Sequence, residues 1–519
     1  MIPQPSESSG PFLSPPEVNI TNISFPLRCS RFHVAYTLPC SNGDKTEQIA
    51  GIDAAVAVLL RQCAVLNRRR NSFQPAINLP VEILTLIFEL VCRPLGFEDY
   101  FLAIIKRSFL RKPEEVGPFF ISQVCSVWRN VALNSPQLWN SVKVVVSSKV
   151  AKKQAALLEY WLSNSGQRPL TVALVEDRFG RNQNRNQNKI PTDVIDVLAK
   201  YAHRLYTADL LMTSEWEPAL LQIRRQAPLL TSLTLERPQM TQPINSTISF
   251  VAASRLISVS LFGYSLTNVL LPEQIKWLSL NRINTSDPHS VFRLFPYLQH
   301  CTLNTESYRH AWNVKNWTRQ VTHSLLSLKL SLEKEADLKA ILNKLALPRL
   351  YSFYLFIAAE ISWKSLVLPF FKRSECALGT LTLCCRALPE CDLIAGLRML
   401  PTLHTLSLNY FGIGKLSKTT FDLMNPRTFR NGWPADSMKK FPCLLPNLKT
   451  FSFYCHTHID VDSHALVEFL EDRWCYTNDN NKATDDGKVL VVRLEGAEFQ
   501  WRMLNFQDED MAILRRLKR

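Results

Sequence analysis

Glycine is scarce in this chain. Its 519 residues hold only 15 glycines, about 3% against a usual share near 7%. None stands in G-x-G-x-x-G, G-x-x-x-x-G-K-[ST] or G-x-S-x-G spacing. Dinucleotide crevices, phosphate loops and nucleophile elbows need glycine where backbone turns sharply or approaches a ligand, so the sequence speaks against those enzymes. Paired cysteines are missing as well. The 13 cysteines run from Cys29 to Cys475 without one C-x-x-C pair, and an odd count at irregular spacing reads as reduced thiols in the cytoplasm or nucleus. The start, Met1 to Glu7, has no basic stretch leading into an apolar one. Unbroken apolar runs such as Ala54 to Leu60 fall well short of the ~20 residues of a membrane span, so no span is expected.

Charge of one sign is not scarce: 60 Lys and Arg against 45 Asp and Glu leave a net +15. The basic residues are spread out, with clusters only at Arg68–Arg70 and at Arg515, Arg516, Lys518 and Arg519. They read as solvated helix faces, and a nucleic-acid partner is not expected. Residues 1–46, rich in Pro, Ser and Asn, are expected to be disordered or weakly ordered. Over 47–74 the spacing predicts a short amphipathic helix. Ile52, Val56, Leu59, Cys63 and Leu66 alternate four and three apart in a heptad seam, which is expected to pack on the domain that follows.

The stretch from Ile77 to Cys92 predicts another helix, with Pro80 at its first position and Glu82 at its positive end. Glu82, Thr85 and Glu89 are its only polar positions beyond the start. A helix apolar around most of its circumference must be covered on more than one side. A further helix is expected from Phe119 to Leu133, closed by Asn134, Ser135 and Pro136 and followed by Leu138-Trp139. So small a unit has too little core to cover this surface alone, so a partner or neighbouring domain must contribute.

These residues resemble a known family. Leu79-Pro80-x-Glu82-Ile83-Leu84-x-x-Ile87-Phe88, followed by Ile121-Ser-x-Val124-Cys125-x-x-Trp128-Arg129-x-Val131-Ala132-Leu133-x-x-Pro136-x-Leu138-Trp139, is similar to the F-box common in mushroom-forming fungi. The resemblance implies an F-box over 75–145, with an insertion at about 93–118, docking on the Skp adaptor of cullin-RING ubiquitin ligases. It places adaptor contacts on Leu79, Pro80, Glu82, Leu84, Ile87, Phe88, Val124, Cys125, Trp128 and Leu138.

From there to the C-terminus the unit L-x-x-L-x-L recurs. It runs from Leu230-x-x-Leu233-x-Leu235 through Leu325-x-x-Leu328-x-Leu330 to Leu448-x-x-Phe451-x-Phe453, mostly at intervals of 19 to 28 residues. Weaker units stand at Leu205-x-x-Ala208-x-Leu210 and Val489-x-x-Val492-x-Leu494. The period resembles that of leucine-rich repeats, though the usual Asn or Cys three residues after the last Leu is absent. The expected fold is therefore an α/β repeat: a helical F-box followed, over 146–519, by an irregular leucine-rich-repeat-like solenoid of short strands backed by helices.

Strand alternation turns Leu278 and Leu280 inward, and Trp277, Ser279, His300, Lys329, Tyr354 and Ser407 outward onto the concave side. Trp277, Lys329 and Tyr354 are the large side chains among small ones, and are the candidate substrate-binding patch. Other chemistry is sparse. Cys455-His456-x-His458, with His464 and Cys475, lacks paired zinc-ligand spacing, so no metal or cofactor is expected. The resulting expectation is a non-catalytic substrate receptor of a ubiquitin ligase that captures a protein target. The alternatives are an F-box scaffold outside the ligase or, further off, a nucleic-acid-binding repeat protein.

Overall fold

A computed structural model describes residues 45–92, 117–147, 149–176, 191–211, 214–237, 247–264, 266–281, 289–305, 320–386, 388–410, 415–427, 443–455, 460–475, 491–499 and 506–517. The expectation of disorder before residue 45 and the insertion at 93–118, save its last two residues, lie outside this range. Four helices come first: α1 (Lys45–Asn71), α2 (Val81–Val91), α3 (Pro118–Val124) and α4 (Ser126–Leu133). Thirteen strands then form one parallel sheet, each pairing with the next in sequence. They are β1 (Ser141–Val146), β2 (Leu170–Glu176), β3 (Leu205–Leu211), β4 (Ser232–Glu236), β5 (Ser258–Phe262), β6 (Trp277–Asn281), β7 (His300–Asn304), β8 (Ser327–Leu332), β9 (Ser352–Ile357), β10 (Thr380–Cys385), β11 (Thr405–Tyr410), β12 (Thr450–Cys455) and β13 (Gly496–Phe499). Flanking helices, among them α5 (Ala151–Asn164), lie in the connections, and the architecture is mixed α/β.

The strands form where apolar residues alternate with small hydroxyl residues. In β8, Leu328, Leu330 and Leu332 are buried, and beside them Phe353, Leu355 and Ile357 of β9. Helices in the connections close over this side: Phe353 meets Phe370 at 5.8 Å and Phe371 at 5.7 Å, both from the helix Trp363–Ser374. The opposite face carries two rows read across the sheet. One runs Thr207, Ser232, Ser258, Trp277, His300, Ser327, Ser352, Thr380, Thr405, Thr450. Two residues further along the strands run Thr234, Ser260, Ser279, Thr302, Lys329, Tyr354, Thr382, Ser407 and Ser452. β-Branched and hydroxyl pairs of this kind suit neighbouring strands.

Several expectations shift. The sheet begins at Ser141 and takes in β1 and β2, which lack the L-x-x-L-x-L signature because Val142, Val144, Val172 and Leu174 supply the inward positions. At the far end Thr450 pairs with Gly496, so the last unit is Leu494-x-x-Ala497-x-Phe499 rather than the one starting at Val489. Pro80 stands one residue before α2, where its carbonyl accepts the Leu84 N–H at 3.0 Å. The single helix expected from Phe119 to Leu133 is two. Cys125 adopts an extended backbone (φ −159°, ψ 171°), and its Sγ accepts the Trp128 N–H as the cap of α4.

The largest departure is α1. It was expected to pack on the following domain, yet none of its residues is buried. Asp53 and Arg61 interrupt its apolar runs, but the 27-residue helix still contains an 18-residue window apolar enough to cross a membrane by length and composition. A count of unbroken runs misses this, because the mean hydropathy over 18 residues stays high in spite of the two charges that break the runs.

A buried arginine secures the last long connection. Arg473 donates from Nη2 to the carbonyls of Leu445 (2.9 Å) and Leu448 (3.2 Å), just before β12. Leu445 is held at φ 55°, a left-handed conformation that leucine rarely adopts.

Candidate functional site

The helical unit α2–α4 has a core of its own: Leu84, Phe88, Ile121, Val131, Ala132, Leu138 and Trp139. Leu84 and Phe88, one turn apart on α2, face α4, where the Phe88 ring meets Trp128 at 5.0 Å edge to face. Trp139 donates from Nε1 to the Ala132 carbonyl at 2.8 Å. Its ring and that of Phe119 lie 5.2 and 5.3 Å from Trp161 of α5, which joins the unit to the start of the sheet.

Burying one stripe of α2 leaves the others bare. Ile83, Leu86, Ile87, Leu90 and Val91 are exposed, Leu90 by 72%, and from α3 and α4 Phe120, Val124 and Val127 are exposed too. Ile83, Ile87 and Leu90 share one face through their i, i+4, i+7 spacing. Exposed apolar side chains this dense on a small unit mark an interaction surface. Among the described residues, α2 is packed on one side only, against α4 and the turn Pro136–Leu138.

The ten residues that the family resemblance assigns to adaptor contact divide accordingly. Leu79, Pro80, Glu82, Ile87 and Val124 are exposed, and Cys125 and Trp128 are partly covered. Leu84, Phe88 and Leu138 are 1%, 1% and 4% exposed and belong to the core, so they shape the surface without forming it. The expectation missed Ile83, Leu86, Leu90 and Val91. Their signal was present as the near-complete apolar circumference of this helix.

On the outer sheet face, the Trp277 and His300 rings stack at 5.5 Å and 6°. Burial holds the His300 imidazole below its ordinary pKa. The Lys329 ammonium lies 4.6 Å from the centre of the Tyr354 ring, and the Cys384 thiol donates to Tyr354 Oη at 3.6 Å. Burial lowers the Lys329 pKa and raises that of Tyr354. The expected patch of Trp277, Lys329 and Tyr354 is thus two pairs in neighbouring rows. Trp277 and Tyr354 stand three strands apart, about 14 Å at ordinary strand spacing. Next to the first pair, His300, Ser327, Arg349, Tyr351 and Ser352 line an open cleft of about 650 Å³. At its edge a Cβ added to Gly379 would stand 2.2 Å from the Tyr351 ring, so a side chain there would have to displace that exposed ring.

Among the described residues no cluster of three His, Cys, Asp or Glu side chains could hold a metal. His456 and His458 lie outside them, and His464 Nδ1 is bonded to Asp510 at 2.9 Å. Comparison with protein-family models and with curated proteins finds no match to this chain.

Proposed function

We propose that this chain is the substrate-recognition subunit of an SCF-type cullin-RING ubiquitin ligase. In this reading residues 75–145 are an F-box that docks on the Skp adaptor, and the sheet with its flanking helices is a leucine-rich-repeat-like solenoid that captures a protein target. The observation that carries the reading is the bare apolar face of α2, Ile83, Leu86, Ile87, Leu90 and Val91, on a unit whose sequence resembles the F-box. The sequential pairing of thirteen strands supports the repeat array. The chain does no chemistry itself. It works in the cytoplasm or nucleus by raising the concentration of target lysines near the ligase's charged ubiquitin carrier.

The test is co-expression of the tagged full-length chain with a Skp-type adaptor. Ile87→Asp combined with Leu90→Asp puts two charges on an exposed face without touching the core. Adaptor capture should fall by about 100-fold or more, as for two interface anchors worth about 2.8 kcal/mol or more combined. Trp277→Ala, on the sheet, should not alter it. Equal capture by wild type and the double variant would remove the proposal.

A further inference from the structure

We infer that α1 is a pairing helix, through which two copies of this chain form a parallel two-stranded coiled coil. The seam fixes the heptad frame. Position a falls on Ile49, Val56 and Cys63, and position d on Ile52, Leu59 and Leu66. Ile49, Ile52, Val56, Leu59 and Leu66 are each 46% to 59% exposed, and Cys63 is exposed. At 27 residues the helix spans about 40 Å.

The occupant of this seam follows from the side chains. β-Branched residues at two of the three a positions (Ile49, Val56) with Leu at two of the three d positions (Leu59, Leu66) favour two parallel strands, Ile52 at d and Cys63 at a being the exceptions. The flanking pairs agree. In a parallel dimer the g and e′ positions bring Gln48 to Asp53, Ala55 to Leu60 and Gln62 to Asn67 of the second copy, with no like charges opposed. Leu60, 65% exposed in the single chain, would then lie against Ala55 at the seam's edge. A lipid bilayer is the poorer fit, because Asp53 and Arg61 would both enter its hydrocarbon core at a cost of about 2.5–3.5 kcal/mol each. The pairing does not depend on the ligase reading.

The test uses the full-length protein in solution. Light scattering should give twice the chain mass of 59.4 kDa. Ile52→Glu with Leu59→Glu should return the single mass while leaving the thermal unfolding of the sheet unchanged, since neither side chain is buried. A parallel pair brings the two Cys63 thiols together. Diamide, which accepts the two electrons and two protons released, should link wild type into a dimer on a non-reducing gel, and Cys63→Ser should abolish that band but keep the doubled mass. A single mass at ~10 µM, a mass above two chains, or a doubled mass without Cys63 linkage would each overturn the parallel pair. So would a protein that is monomeric in buffer and sediments with neutral phospholipid vesicles through α1.

Discussion

The two parts of this molecule treat the same side chains in opposite ways. In the sheet, leucine is an interior residue: Leu328, Leu330, Leu355, Leu383 and Leu408 are at most 2% exposed. In the helical unit before it, Leu86 and Leu90 are more than half exposed. The difference comes from how many sides an element can hide. Each strand has one apolar face, and helices in the connections cover it, whereas α2 has several apolar faces and, among the described residues, is packed on only one of them, against α4 and Pro136–Leu138. Stability therefore concentrates in one region and readiness to bind in the other.

The sharpest test of this contrast is one substitution in both places. Leu355→Ala should cost about 2–5 kcal/mol of unfolding free energy through the cavity it leaves. Leu90→Ala should change it by no more than about 0.5 kcal/mol. Equal losses in urea titrations would show that the α2 face is covered. Next in size, Arg473→Met should cost about 1–3 kcal/mol, because the Leu445 and Leu448 carbonyls lose a buried donor. A melting temperature unchanged from wild type would argue that water replaces the guanidinium.

A smaller effect is expected on the outer sheet face. Trp277→Ala removes the ring stacked on His300 and should cost about 0.5–1.5 kcal/mol. The imidazole pKa, held low by burial, should rise toward its ordinary value near 6.5, read by NMR titration. No movement would assign the burial to other neighbours.

The smallest effect concerns the C-terminal helix Asp508–Leu517. The bond to Asp510 raises the pKa of His464, on the helix Ser463–Trp474. A folded-state pKa above the unfolded value gives stability that is complete below about pH 6.5 and lost as pH rises through the raised value. Amide exchange in 508–517 should therefore quicken, relative to its intrinsic rate, as pH rises above about 6.5, and His464→Gln should flatten that change.

Much of the sheet was legible in the sequence, because alternating Leu at a repeating interval fixes both strand position and facing. What stayed hidden has identifiable causes. Valine replaces leucine in β1 and β2, and Ala497 is too small to advertise the last strand. Nothing in local pattern announces that Cys125 breaks a helix. The exposed apolar surface was half legible: one stretch of sequence holds buried and exposed residues together, and only helical spacing separates Leu84 and Phe88 from Ile87 and Leu90.

The order of the sheet also bears on how such a long chain folds. Because every strand of the thirteen-stranded sheet pairs with the next strand of that sheet in sequence, its pairing does not wait for the two ends of the chain to meet. Loop-closure entropy stays small at each step, so structure can nucleate at any strong pair of adjacent units and grow outward. A ribosome could release such an array unit by unit, with each new strand finding its template already formed.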